Sequence, residues 1–128
     1  MNTHSNIQLI AWKAKNAKLT LAEAKALATR MNMSLNELLS AVSLFVAEQY
    51  ESKASHFAEA DTTINSLWAI LFEQPASEIE IPEALQDVFD AFDQGEFHHA
   101  EDDKSIDPEE KYTLPMLRAA LEKHRNDA

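Results

Sequence analysis

The sequence predicts an all-α protein, a compact orthogonal bundle of five or six helices with no sheet. The chain of 128 residues contains one glycine and four prolines, whereas strand-rich folds need turn glycines every few residues. Apolar residues recur at intervals of three and four, and Ser or Thr followed three residues later by Glu marks helix starts. A chain of this length suits one domain, so we expect residues 1–128 to fold together.

The first two helices follow from apolar spacing and a helix cap. Helix one is predicted over about residues 5–18, with apolar side chains on one face and lysines facing away. Thr20 and Glu23 then form a capping box, in which each side chain accepts from the other residue's backbone amide, and this box starts helix two. Asn32 is best suited to end helix two, because asparagine tolerates the left-handed conformation.

Helix three is predicted over residues 35–55, behind a second capping box of Ser34 and Glu37. Most of its apolar side chains fall within one arc of the helix, namely Leu35, Leu38, Leu39, Val42, Phe45, Val46 and Tyr50. Leu44 lies outside this arc, on the side that carries Glu37 and Glu48.

Helix four is predicted to begin at a cap formed by Asp61 or Thr62 and to end before Pro75. Its segment 67–72 is apolar all round, which is typical of a helix buried on every side. We therefore expect helix four to be the central and most buried helix, with Trp68 in the core.

Helix five is predicted to start at Pro82, which suits a first helical turn, and to end at Gly95. We expect Gly95 to take a positive φ there, as glycines that follow helices often do. Residues 96–112 are polar and predict a loop. Thr113 is then expected to cap a sixth helix.

Charge divides the chain into two halves. Residues 1–64 hold six basic and six acidic side chains, so the net charge of −11 falls within residues 65–128. We accordingly expect one domain with a neutral three-helix part, residues 1–60, and an acidic part, residues 61–128. The chain has no cysteine, which excludes a disulfide, a thiol nucleophile and a cysteine zinc site. We find neither a long apolar run nor a secretory pattern, and expect a cytoplasmic protein with no membrane contact.

The acidic part supplies the candidate partner-binding residues. Like charges spaced three or four residues apart on a helix repel one another, and a basic partner relieves that repulsion. We expect helix five and the loop after it to form this surface, with all of its charged side chains outside the core. The candidate residues are Glu83, Asp87, Asp90, Asp93, Glu96, His98, His99, Glu101, Asp102 and Asp103.

Residues 20–43 also have the spacing of a DNA-binding helix-turn-helix, with Ala28 and Leu38 at its buried positions. Asn36, Ser40 and Ser43 would then face the DNA groove. The expected recognition helix contains no Lys or Arg before residue 50, although phosphate contacts supply much of the affinity for DNA. This pattern therefore argues against nucleic acid as the partner.

Metal and catalytic chemistry have weaker support. His98 and His99 stand among carboxylates, which suits zinc or nickel, but neighbouring histidines point in different directions. Residues 90–101 resemble a calcium loop only in part, because Phe92 and Gln94 occupy positions that need oxygen ligands. No motif presents a nucleophile, so we predict no catalytic residue, no metal and no cofactor.

The sequence therefore favours a non-enzymatic acidic protein–protein interaction module. The expected partner is a basic protein, such as a toxin or nuclease that an inhibitor or immunity-type protein holds in check. The alternative is a helix-turn-helix DNA-binding regulator that uses residues 21–43, and a metal-dependent enzyme comes third. A homodimer is also left open.

Overall fold

The computed structural model describes residues 3–125, and these residues form an all-helical bundle without a strand, which confirms the predicted fold class. Six α-helices follow one another along the chain: α1 Thr3–Lys15, α2 Leu21–Arg30, α3 Leu35–Glu51, α4 Phe57–Leu71, α5 Glu83–Gly95 and α6 Leu114–Arg125. A short 3₁₀ turn, Ala76–Glu78, lies between α4 and α5, and a π-helical turn, Glu109–Thr113, leads into α6.

Local sequence signals set the starts of α2 and α3, as predicted. The Thr20 hydroxyl accepts from the Glu23 amide at 3.1 Å, and the Ser34 hydroxyl accepts from the Glu37 amide at 3.0 Å. Both glutamates return a hydrogen bond to the backbone of the cap residue. Asn32 ends α2 with a φ of 59°, which confirms its left-handed conformation. The turn between α2 and α3 is therefore set by Asn32 and by the Ser34 capping box, which lie within it or next to it in sequence.

Helices α1 and α3 each end three or four residues earlier than predicted. Ala17 follows α1 with a φ of 55°, and Lys53 follows α3 with a φ of 69°. Neither alanine nor lysine usually adopts the left-handed conformation, so these helix ends could not be predicted from residue type. The orphan carbonyls are still satisfied, because the Lys18 amide donates to Lys13 and the Ala54 amide donates to Gln49, both at 2.8 Å.

The prediction for α4 was wrong in two respects. The helix begins at Phe57, where the Glu59 carboxylate accepts from the His56 amide at 3.2 Å, and not at Asp61 or Thr62. Its apolar run is also not enclosed, because Ala69 is exposed and Phe72 is 47% exposed. Trp68 is only partly buried and stacks on Phe89 of α5, with ring centroids 4.1 Å apart.

Helix α3 occupies the centre of the bundle instead. It packs against α1, α2, α4, α5 and α6. Leu38, Leu39 and Val42 have no exposed surface, and the Tyr50 ring at its end makes T-shaped contacts with Phe57 and Phe92. A helix with neighbours on so many sides is held by burial along most of its length.

Gly95 and Thr113 have roles that differ from those predicted. Gly95 is the last residue of α5 and does not take a positive φ. A Cβ atom built on it would lie 2.1 Å from the Thr113 hydroxyl oxygen and 3.0 Å from the Phe57 ring. The glycine is therefore required by close packing rather than by its conformation.

Thr113 was predicted to cap α6, but its side chain is fully buried and bonds elsewhere. Its hydroxyl donates to the Ala91 carbonyl of α5 at 2.7 Å. Helical structure starts earlier, at a turn capped by the Asp107 carboxylate, which accepts from the Glu109 amide at 2.9 Å. The predicted loop 96–112 is consequently shorter than expected, since residues 109–112 belong to the π-helical turn.

Candidate functional site

The first half of the α5 acidic stripe is occupied by contacts to α6. Asp87 lies 2.8 Å from the His124 Nε2 atom and 3.2 Å from the Lys123 ammonium, and Glu83 forms an ion pair with the same lysine. These contacts raise the pKa of Lys123, because two carboxylates accept from its ammonium group. Glu83 and Asp87 therefore join α5 to α6, and part of their charge is neutralised within the fold.

The second half of the stripe carries carboxylates without cations. Asp93 and Glu96 lie at the end of α5, and Glu96 is hydrogen-bonded to Asp61 of α4. In the described part of the chain, none of these three forms an ion pair with a lysine or arginine. Asp90, one turn earlier, accepts from the neutral Gln86 side chain at 2.8 Å.

This crowding changes the protonation of Glu96. Partial desolvation, the hydrogen bond to Asp61 and the negative charges of Asp61 and Asp93 together raise its pKa from an ordinary 4.5 to about 7. Near neutral pH the group therefore holds a proton part of the time. The structure thus brings three carboxyl groups together, and desolvation, the hydrogen bond to Asp61 and the neighbouring negative charges keep Glu96 incompletely ionised near neutral pH.

The sequence analysis missed Asp61. It was assigned to a helix start, which placed it apart from α5. A longer α4 that begins at Phe57 carries Asp61 one turn inside the helix, beside the end of α5. The missed signal was His56 followed three residues later by Glu59, because a capping box is usually sought at Ser or Thr.

The loop after α5 is built around His99, contrary to the expectation that all of its charged side chains face away from the core. The imidazole stacks between Phe97 and Tyr112, with ring centroids 4.5 and 3.8 Å away. Its Nε2 atom lies 2.9 Å from the Gln94 carbonyl oxygen, and only 10% of the side chain is exposed. Glu101 extends beside it, with 73% of its side chain exposed and a carboxylate oxygen 3.9 Å from Nδ1.

Asp102 also points into the loop rather than outward, and its side chain is only 6% exposed. It accepts from the Tyr112 hydroxyl at 2.6 Å and from the Lys111 ammonium, and these bonds hold its pKa below the usual range. Asp103 is exposed, but one of its oxygens accepts from the Ser105 amide at 2.9 Å. Asp102 therefore orders the loop, a role that its position in a charge run did not predict.

His98 is exposed and its neighbour His99 is buried in the aromatic stack, so the two rings do not converge on one point. Among residues 3–125 we find no three acidic or histidine side chains arranged to hold a metal ion. None of the helices described there combines the length and apolar character needed to span a bilayer.

The helix-turn-helix pattern is present as packing. Ala28 and Leu38 are buried at the contact between α2 and α3, as its spacing predicts. Ser43, one of the candidate groove-facing residues, is instead fully buried and donates to the Leu39 carbonyl at 2.7 Å. It therefore cannot reach DNA while α3 keeps its place in the bundle.

Compared with known protein families, curated proteins and solved structures, the chain gives no match. The chemistry of its own surface therefore carries the functional inference. Four carboxyl groups near the end of α5 form no ion pair with a lysine or arginine among residues 3–125: Asp61, Asp93, Glu96 and Glu101. We call these four residues the acidic end of α5.

Proposed function

We propose that this protein is a non-enzymatic interaction module that binds a basic protein partner through the acidic end of α5. The single observation that carries the proposal is the group formed by Asp61, Asp93 and Glu96, three neighbouring carboxyl groups that form no ion pair with a lysine or arginine among the described residues. A lysine or arginine placed beside this group would allow Glu96 to ionise fully. Binding would then relieve part of the repulsion between carboxylates in the free protein, and this relief would favour the complex.

The charge of the whole molecule supports the same kind of partner. A net charge of −11 concentrated in one half of the chain produces a field that attracts cationic surfaces over several ångströms. Such a field raises the association rate more than it lowers the dissociation rate. A module of this kind can occupy and inhibit a basic toxin or nuclease, which is the role that we propose.

The other predicted partner-binding residues receive different roles in this proposal. Glu83 and Asp87 are tied to Lys123, and Asp102 is tied to Lys111, so we assign these three carboxylates to holding α6 and the loop in place. Asp90, His98 and Asp103 border the contact. A partner would therefore be bound by fewer acidic groups than the charge run suggests.

The test uses two variants with the same net charge. In the first, the acidic end is neutralised by Asp93→Asn, Glu96→Gln and Glu101→Gln. In the matched control, three exposed glutamates elsewhere are neutralised, namely Glu48, Glu73 and Glu78. Each protein is immobilised, the proteins it captures are quantified, and the strongest specific partner is purified for measurement of its dissociation constant.

We expect a basic partner whose capture is lost with the first variant and retained with the control. The dissociation constant should rise by at least tenfold for the first variant, because three charges are removed from one contact. An acidic partner, or equal losses with both variants, would contradict the proposal, since net charge alone would then explain the binding.

A further inference from the structure

A second surface feature lies at the opposite end of α5 from the acidic end. A groove of about 690 Å³ runs between the first half of α3 and the segment that leads into α5. The two ends of α5 are about 18 Å apart, at 1.5 Å of rise per residue. The groove is therefore a separate surface, large enough for several side chains of a ligand.

The apolar part of the lining, which we call the floor of the groove, includes Leu44 and Ala41 of α3, Ile81 of the segment before α5, and Met33. Ile81 is 37% exposed, and Leu44 is only half-buried. Leu44 lies outside the apolar arc of α3, on the side that carries Glu37. The core packing of α3 therefore does not explain why an apolar residue stands there. Its place in the groove gives this departure from the pattern a physical reason.

The rim of the groove is acidic. Glu37 stands on the α3 side, and Glu80 and Glu83 stand on the other. Among residues 3–125 the lining includes no lysine or arginine, and its basic side chain is that of His124, whose Nε2 atom lies 2.8 Å from an Asp87 oxygen. The Lys123 ammonium is paired with Glu83 and Asp87, so part of the charge of Glu83 is already neutralised. An apolar floor between acidic rims is complementary to a segment that is apolar along one face and cationic along its edges.

We propose that this groove binds a cationic amphipathic helix of a partner protein. The inference rests on the proposed function only for the sign of the partner's charge. Apolar side chains spaced as i, i+3, i+4 and i+7 would lie on Leu44 and Ile81, while flanking lysines or arginines reach Glu37 and Glu80. A helix fits better than an extended strand, because the described residues present no sheet edge for backbone pairing.

The same face would be the DNA-reading face of a helix-turn-helix protein. Asn36 and Ser40, two of the residues expected to face a DNA groove, line the wall here. Glu37 and Glu80 beside them repel phosphate, so the acidic rim favours a cationic peptide over a nucleic acid on this side of α3.

The experiment uses a synthetic helical peptide of 18 residues made from leucine and lysine, with leucines at i, i+3, i+4 and i+7. A scrambled peptide of identical composition is the control. Binding to the full chain is measured by calorimetry, and amide shifts of the ¹⁵N-labelled protein locate the contact. We expect shifts centred on residues 33–44 and 80–84, with the scrambled peptide binding at least about tenfold more weakly.

Variants separate this groove from the acidic end. Ile81→Asp places a charge on the apolar floor and should weaken peptide binding about tenfold, while Glu80→Gln on the exposed rim should weaken it about threefold. The variant with Asp93, Glu96 and Glu101 neutralised should bind the peptide within about twofold of the parent. Loss of the physiological partner with that variant, together with unchanged peptide binding, would support both proposals independently.

Three results would overturn the groove proposal and leave the proposed function intact. These are equal binding of the scrambled peptide, shifts confined to the acidic end, and unchanged affinity in Glu80→Gln and Ile81→Asp. Thermal melts check that each variant is folded, and Glu80→Gln changes an exposed side chain with no contact to the core. The groove therefore stays testable even if Ile81→Asp unfolds the protein.

Discussion

Replacing Gly95 by alanine tests the packing between α5 and the start of α6. Ordinarily this change stabilises a helix by about 1 kcal/mol, because alanine has the higher helix propensity. Here the added Cβ would meet the Thr113 hydroxyl oxygen at 2.1 Å and the Phe57 ring at 3.0 Å. Thr113 is fully buried and bonded to the Ala91 carbonyl, so it has no free space to turn into.

The size of the effect follows from these contacts. Displacing the Thr113 hydroxyl breaks a buried hydrogen bond, which costs about 1–3 kcal/mol, and overpacking costs about as much again. Allowing for the gain in helix propensity, we expect Gly95→Ala to lower the free energy of unfolding by about 3 kcal/mol. For a chain of this size the midpoint of thermal unfolding should fall by about 10 °C.

A double-mutant cycle identifies the cause. Thr113→Ala alone should cost about 1–2 kcal/mol, because the Ala91 carbonyl keeps its helical hydrogen bond. In that background Gly95→Ala should cost less than about 1 kcal/mol, since the hydroxyl that it strikes is gone. The measurement is chemical unfolding of the four proteins, followed by circular dichroism. Additive effects, or a stabilised single variant, would refute the close-packing explanation. Gly95→Asn should be no better tolerated than alanine, whereas a left-handed glycine would accept asparagine.

Three further predictions concern stability and pH. Tyr50→Phe should cost about 1–2 kcal/mol, because its hydroxyl donates to the Glu109 carboxylate. Burial and that carboxylate raise the pKa of Tyr50, so stability should fall as the pH rises above about 10, where the unfolded tyrosine ionises. Ultraviolet titration would show this loss of stability, and Tyr50→Phe should remove it. Trp68→Ala should cost about 2–3 kcal/mol by chemical unfolding, less than for an enclosed tryptophan, because the ring is only partly buried on Phe89; a cost above about 5 would contradict this exposure. The pKa of Glu96 in the folded protein, about 7, exceeds its ordinary 4.5, so stability should decline as the pH rises from 4.5 to 7. Glu96→Gln should flatten this decline. NMR shifts of the Glu96 carboxyl that titrate near 4.5 would contradict the raised pKa.

Sequence reasoning succeeded where structure depends on neighbours in the chain. The two capping boxes and the left-handed Asn32 were predicted correctly, because each involves contacts within about four residues. The start of helix α4 was missed although its contact is also local: the Glu59 carboxylate accepts from the His56 amide, and histidine is not a usual cap residue.

The remaining errors concern contacts between segments distant in sequence. Gly95, at the end of α5, packs against Thr113, which directly precedes α6. Without knowledge of this neighbour, a glycine near a helix end predicts a left-handed cap. Helix α4 was expected to be the most buried because its run 67–72 is apolar. The structure gives the central position to α3, whose neighbours lie on more sides.

Charge alone predicted an acidic region on α5 and the following loop, but it could not predict which of the carboxylates there are paired within the fold. Sequence could not separate Asp102, which is enclosed by Lys111 and Tyr112, from the exposed Glu101 next to it. Nor could it find Asp61, which joins the acidic end only through the packing of α4 against α5.

The measurement that tests the proposed function most directly is the association rate of the purified partner at several salt concentrations, by stopped-flow fluorescence. If the acidic end of α5 steers a basic protein, the rate constant should fall steeply as salt rises. Neutralising Asp93, Glu96 and Glu101 should lower both the rate and its dependence on salt, while the matched control at Glu48, Glu73 and Glu78 should change them much less. A rate that is insensitive to salt, or that falls equally in both variants, would contradict the claim that this acidic end recognises the partner.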